Sequence, residues 1–257
     1  MTELESRSVP DTPTIADLRR TVQAIAGENV QAMPTLPFGL DAIDGRLAGN
    51  GLRLDALHEV AGEGASWGDD SAAVLFMAGI VARLSGPVLW VVRTRDLFAP
   101  GLFQAGLDPR RVIYAEARDD EELLALMEDG LRHRSLCAVL GEARRVSTAS
   151  TRRLQLSAQG GPAVALLLKQ TPRGGGDPFA LPSAATTRWR VGSAPSVPVP
   201  WDGLGPACWR LQCVRQRAGD PFELFVEAPD ETGRLALPAR LVDRPVAPER
   251  APARAVG

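Results

Sequence analysis

Between Leu57 and Leu168 short apolar runs alternate with amphipathic ones, and no other feature of the chain constrains its fold as tightly. Leu57 to Ala61 and Val112 to Ala115 read as short strands, Val88 to Val92 and Cys137 to Leu140 as buried strands, and Val164 to Leu168 as a further apolar strand. Ser71 to Leu84 places Val74, Leu75, Ala78 and Val81 on one helical face, and Asp119 to Arg134 does the same with Leu123, Leu124, Met127 and Leu131. Thr148 to Gln159 reads as a third helix. Strands that are apolar throughout need cover on both faces. The pattern therefore predicts an α/β fold with a mostly parallel sheet flanked by helices.

Beyond Gln170 the character changes. Thr171 to Ser183 is a Pro- and Gly-rich loop, and loops of that length in compact domains are usually functional or disordered. Thr186 to Val191, Cys208 to Arg217 and Phe222 to Ala228 then read as strands, the last two joined as a hairpin through Ala218 to Pro221. Trp209, Leu211 and Cys213 alternate with Arg210 and Gln212, so one face of the hairpin is expected to be buried, with Trp209 also a candidate partner contact. At the other end, Thr14 and Asp17 resemble a capping box, and Ile15, Leu18, Val22 and Ile25 form an apolar stripe that can face the domain or a partner. The expected division is an N-terminal segment over 1–33, a core over 34–191, a β extension over 192–243 and a disordered Pro/Ala/Arg-rich tail over 244–257.

Composition excludes several classes. The 257 residues are 45% apolar with a net charge of -2, so no whole-protein attraction to nucleic acid exists and any such binding needs a local patch. The N-terminus lacks the basic and apolar stretches of a secretory signal, and no run approaches a membrane span, so a cytoplasmic protein without membrane contact is expected. Cys137, Cys208 and Cys213 have no zinc spacing, and His58 and His133 are too few to complete a site. Cys137, in an apolar run, reads as core.

Residues 56–73 read as a strand, a glycine-rich turn and a helix start. A phosphate-binding loop places Lys and Ser or Thr directly after its last glycine, to hold phosphates and magnesium. Here Gly62, Gly64 and Gly68 are followed by Asp69 and Asp70. Two carboxylates suit a helix N-terminus but repel a triphosphate approaching the same amides. A degenerate loop without cofactor, metal or catalytic residue is expected.

Two other classes follow from local motifs. Gly64 to Gly68 matches the Gly-x-Ser-x-Gly of a nucleophile elbow, which makes Ser66 a candidate hydrolase serine, although His133 is the only histidine downstream and sits in a helical segment. Arg132, Arg134, Arg144, Arg145, Arg152 and Arg153 form a basic stretch with Glu142 its only acid, and Lys169 and Arg173 border the long loop. Of these, Arg144, Arg145, Arg152, Arg153, Lys169 and Arg173 are the candidate contacts to single-stranded DNA, with Phe179 the only loop aromatic for stacking a base. A solvated face is the alternative.

The order of elements resembles the RecA-like ATPase core, on Leu36 to Leu52 before the first core strand, His58 to Gly62 entering the loop, Arg95 to Leu102 and Ala105 to Val112 after the second strand, and Leu166 to Gln170. Within that superfamily, Pro37 to Asp44, Arg95 to Leu102, Ala138 to Glu142, Trp189-Arg190 and Trp209-Arg210 resemble the ImuA family of RecA/SulA-like accessory proteins of damage-induced mutagenesis. The resemblance implies a non-catalytic role beside an ImuB-type polymerase-like protein and an error-prone C-family DNA polymerase, with RecA a further candidate partner. It also leaves open a SulA-like inhibitor of cell division. Of the acids the RecA-like core implies, none stands in Arg93 to Arg95, and Glu142 alone keeps the magnesium-side position. Gln170 matches the nucleotide-sensing glutamine.

Overall fold

The computed structural model describes residues 14, 34–171, 176–199 and 201–238. Ile15, Leu18, Val22 and Ile25, Arg173 and the tail beyond Arg244 lie outside the described residues. A two-residue strand β1 (Thr35–Leu36), a short helix α1 (Asp41–Asp44) and β2 (Leu52–Arg53), antiparallel to β1, lead into the main sheet. Its parallel strands are β3 (Leu57–Gly62), β4 (Val88–Val92), β5 (Val112–Glu116), β6 (Ala138–Ala143), β7 (Val164–Lys169) and β8 (Thr187–Ala194). The hairpin β9 (Cys208–Gln216) and β10 (Phe222–Glu227) continues the sheet antiparallel from β8. The strand order is β10-β9-β8-β3-β7-β6-β4-β5. Because β8 runs to Ala194, the expected boundary between residues 191 and 192 falls inside a strand.

Four helices connect these strands: α2 (Trp67–Ala82), α3 (Ala99–Gln104), α4 (Asp120–Leu131) and α5 (Thr148–Ala158). The long ones start at side-chain caps. Ser66, Asp119 and Ser147 accept from the backbone N–H of Asp69, Glu122 and Ser150, supplying acceptors that a helix start otherwise lacks. Since Ser66 caps α2, the helix begins four residues before Ser71, and Gly68, Asp69 and Asp70 belong to its first turn. Six-residue α3 has no periodicity long enough to mark it in sequence and starts on Ala99-Pro100, where proline's missing N–H costs no helical bond.

The two sheet faces make two cores. Val60, Leu140, Leu166 and Trp189 pack with Phe76 and Met77 of α2 on one side, while Leu57, Val91, Val139 and Leu167 pack with Leu123, Met127 and Leu154 of α4 and α5 on the other. All residues of β3, β6 and β7 are buried, including the polar His58, Glu59, Glu142 and Lys169 that interrupt their apolar sequences. The largest aromatic assembly centres on Trp189, 5.6 Å from Phe76, 5.8 Å from Phe38 and 5.7 Å, edge-on, from Phe222. Trp209 joins the same core at 4% exposure, so it fills space beneath the hairpin and is not a partner contact. Cys137, expected in the core, is only half-buried at its margin, its thiol donating to Gly86 O and Pro87 O.

One set of polar groups inside this core is satisfied in a chain, whereas Glu59 Oε1 is buried without a hydrogen-bond partner. Trp189 Nε1 donates to Thr187 Oγ1 at 2.6 Å, Thr187 Oγ1 meets His58 Nδ1 at 2.7 Å, and His58 Nε2 meets Arg53 O at 2.7 Å. A neutral imidazole that donates from Nε2 and accepts at Nδ1 satisfies every link, and burial pushes His58 down to about 4. Replacing Trp189 by Ala removes the hub of the aromatic cluster and one end of this chain. The expected cost is about 3–5 kcal/mol, read as a lowered denaturation midpoint by circular dichroism.

Candidate functional site at the carboxyl edge of the sheet

Parallel strands deliver their following loops to one edge, where open α/β sheets place ligands. Here β3, β4, β6 and β7 bring together the glycine-rich turn, the segment after Val92, Glu142 with Arg144, and Gln170. Asp69 organises the turn. Its Oδ2 accepts from Gly64 N at 3.1 Å and its Oδ1 from Ser193 N, at the end of β8, at 2.7 Å. A second carboxylate, Glu63, pairs with Arg210 of β9, while Glu63 N donates to Val191 O at 3.0 Å. The turn after β3 is thus stitched by its own acids to β8 and β9.

A nucleoside triphosphate, which a RecA-like core implies, does not fit these residues. The Gly64 amide, which a phosphate would claim, already donates to Asp69, and acids stand where a lysine and a hydroxyl are required. Asp70 lies beside Asp69, and burial, followed by that neighbouring charge, raises its pKa. A further phosphate charge would be repelled.

Next to the turn a cleft of about 640 Å³ opens between α2 and the segment carrying α3. Leu75, Leu102 and Leu168 contribute apolar wall, and Asp70, Asp96 and Glu142 contribute acids. Glu142 is 7% exposed, accepts from Trp90 Nε1 at 2.9 Å, and has Gln170 Nε2 at 3.5 Å. Burial is the main cause that pushes its pKa up to about 7, with Asp96 and Asp70 adding to it against the two hydrogen bonds. Asp96 stands one residue beyond Arg93 to Arg95, the stretch found empty of carboxylates, and accepts from Thr94 Oγ1 at 3.0 Å. An acid therefore does face Glu142 after the second long strand.

The candidate DNA contacts among the described residues do not form one exposed surface. Lys169, expected to border the loop as a contact, is only 5% exposed and lies near the buried Glu59–Arg188 pair, whose separation is 2.7 Å. Arg188 also donates to Phe179 O and Leu181 O, tying that loop down. Phe179 is buried, with the guanidinium groups of Arg188 and Arg190 at 5.2 and 5.6 Å from its ring, so it is not free to stack a base. Arg144 turns into the cleft, whereas Arg145, Arg152 and Arg153 are exposed. Helix α4 supplies acids absent from the linear stretch, with Glu128 pairing Arg132 and lying 3.8 Å from Arg153, and Asp120 accepting from Arg145 N.

The hydrolase geometry is missing as well. Ser66 Oγ caps α2, His133 at the far end of α4 bonds Ser135 at 2.9 Å, and His58 has both ring nitrogens engaged in the core. No imidazole serves Ser66. Among the described residues no group of three or more His, Cys, Asp or Glu side chains is arranged to hold a metal ion, and no helix is long and apolar enough to cross a membrane.

No protein-family model matches the chain. It is 39% identical over 220 residues to Protein ImuA of Caulobacter vibrioides strain NA1000, covering 82% of this chain and 90% of that protein. The chain belongs to the ImuA family. Protein ImuA of C. vibrioides strain ATCC 19089 matches to the same extent. Among solved structures, the RadB recombinase superposes with a TM-score of 0.54 at 16% identity, covering 79% of this chain and 99% of that one, which makes the fold RecA-like. SulA from Pseudomonas aeruginosa reaches a TM-score of 0.37 at 24% identity over 44% of this chain and 97% of its own.

Sequence reasoning missed the cleft, the cap of α2 at Ser66, and the exposure of Trp67 and Phe98 at the cleft rim. The signal was present in part: ImuA-type Arg95 to Leu102 contains both Asp96 and Phe98, but only topology sets them against Glu142 and α2. Glu142 offers a pH test. An acid raised to about 7 keeps its proton in the folded state where the unfolded chain has lost it, so its contribution is full below the ordinary carboxylate range and declines as pH rises through 7. The loss is at most about 3 kcal/mol. Glu142→Gln is expected to flatten the fall in stability between pH 5 and 8, measured by urea denaturation at each pH.

Proposed function

We propose that the protein is a non-catalytic accessory scaffold of damage-induced mutagenic DNA synthesis, working in the cytoplasm beside an ImuB-type polymerase-like protein and an error-prone C-family DNA polymerase. Membership of the ImuA family supports the setting. The observation that carries the non-catalytic part is the Asp69 clasp, in which a side chain occupies the Gly64 and Ser193 amides at the mouth of the phosphate loop. Catalysis of phosphoryl transfer depends on cations and donors placed around the phosphates, and this loop supplies carboxylates. The RecA-like framework then acts through its surfaces.

Titration with a fluorescent ATP analogue, alongside a steady-state phosphate assay, is expected to show neither saturable binding in the micromolar range nor turnover. Micromolar affinity or measurable hydrolysis would overturn the non-catalytic reading. Affinity capture of the full chain from cells treated with a DNA-damaging agent is expected to retain the polymerase-like protein, identified by mass spectrometry. Capture of a filament-forming division protein in its place would favour the SulA-like reading.

A further inference from the structure

We propose that the cleft between α2 and α3 docks a segment of a partner protein in which a lysine or arginine stands between large apolar side chains. The inference rests on the accessory reading for its choice of a protein as occupant; the chemistry of that occupant comes from the cleft itself. Among the described residues three acids, Asp70, Asp96 and Glu142, line it against one base, Arg144. Arg93 and Arg95, just before Asp96, are paired elsewhere, Arg93 with Asp120 at 3.2 Å and Arg95 with Glu116. The cleft therefore presents net negative charge to its occupant, which selects a cation and disfavours nucleotide or nucleic acid.

Its apolar surface calls for more than a lone cation. Trp67 on the first turn of α2 is 90% exposed, and Phe98 before α3 is 70% exposed, both at the cleft. Phe103, also on α3, is 63% exposed. Exposed aromatics around a concavity with a leucine wall have the composition of binding hot spots, and contiguous patches of this kind mark interaction sites. The volume lies within the roughly 300–1,000 Å³ that holds a small ligand or a few side chains. A basic residue inserted toward Asp70, Asp96 and Glu142, with apolar neighbours against Trp67 and Phe98, satisfies both features at once.

The positions allow clean variants, because Trp67 and Phe98 contribute little to the core and removing a carboxylate at Asp70 relieves its repulsion with Asp69. The full tagged chain is co-expressed with the ImuB-type protein as wild type, as Asp70→Asn with Asp96→Asn, as Trp67→Ala with Phe98→Ala, and as Arg144→Gln. Binding is quantified by surface plasmon resonance across a salt series, after circular dichroism has shown that each variant keeps its melting temperature. Both double variants are expected to weaken binding about tenfold or more, and Arg144→Gln to tighten it about two- to threefold, with the wild-type interaction weakening in salt. Overlapping peptides from the partner are expected to bind only where Lys or Arg is flanked by Leu, Phe or Trp.

Unchanged binding in both double variants would overturn the cleft assignment and leave the accessory reading standing. Loss with the aromatic pair alone would overturn the cationic specificity. No binding by the wild-type chain would overturn both readings together. Loss of self-association in the variants, seen by analytical ultracentrifugation with partner binding intact, would assign the cleft to a second copy of this chain and overturn the proposal.

Discussion

The structure depends on a strand that must be buried on both faces while carrying two polar side chains. β3 lies between β7 and β8, hydrogen-bonded in parallel to each, and all its residues are buried. His58 and Glu59 sit in its middle at 0% exposure. His58 is tolerated because it is neutral and bonded at both nitrogens, and Glu59 because Arg188 meets it at 2.7 Å. Those bonds reach Thr187 and Arg188 of β8, so the polar groups that threaten the core also fix the register of its neighbour. The loop leaving β3 inherits a defined position over β8.

That position lets the glycine-rich turn hold its shape through contacts within the chain. Helix starts and glycine-rich turns leave backbone N–H groups without partners, and an anion usually supplies them. Asp69 supplies them from within, bonding Gly64 N and Ser193 N while its own N–H donates to Ser66 Oγ. Its negative charge at the first turn of α2 also suits the helix dipole. The interaction that occupies the Gly64 amide is the same one that holds the turn against β8.

The sheet and its three long helices were legible because burial imposes a repeating pattern: the strand runs at Val88, Cys137 and Val164 and the stripe Leu123, Leu124, Met127 and Leu131 all correspond to observed elements. What depended on tertiary pairing was not legible. The basic stretch from Arg132 to Arg153 read as dense positive charge, yet α4 folds Glu128, Asp129 and Asp120 against it. Phe179 and Lys169 read as loop-side contacts, yet Arg188 holds the loop at Phe179 and Leu181, and Lys169 is buried at the end of its own strand. Trp209 offered the composition of an interface and the alternation of a half-buried strand, and the alternation proved the more informative, since it states which face turns inward. Asp69 was visible as a misfit in the motif, but its partner Ser193 lies 124 residues away.

Helix α2 joins the two halves of the site. Within its first turns Asp69 points back to close the phosphate loop, while Trp67, Asp70 and Ser71 face the neighbouring cleft. Locking the loop holds these outward residues at fixed positions, which lowers the ordering cost of any contact made there. Glu142 completes the electrostatics from the floor. Burial holds its pKa near 7, so at neutral pH the fold bears part of the cost of an ionised carboxylate without a cation beside it. A cation entering the cleft favours the ionised form and offsets that cost, coupling occupancy to the stability of the sheet edge. Glu142 can therefore serve as part of a surface that selects positive charge.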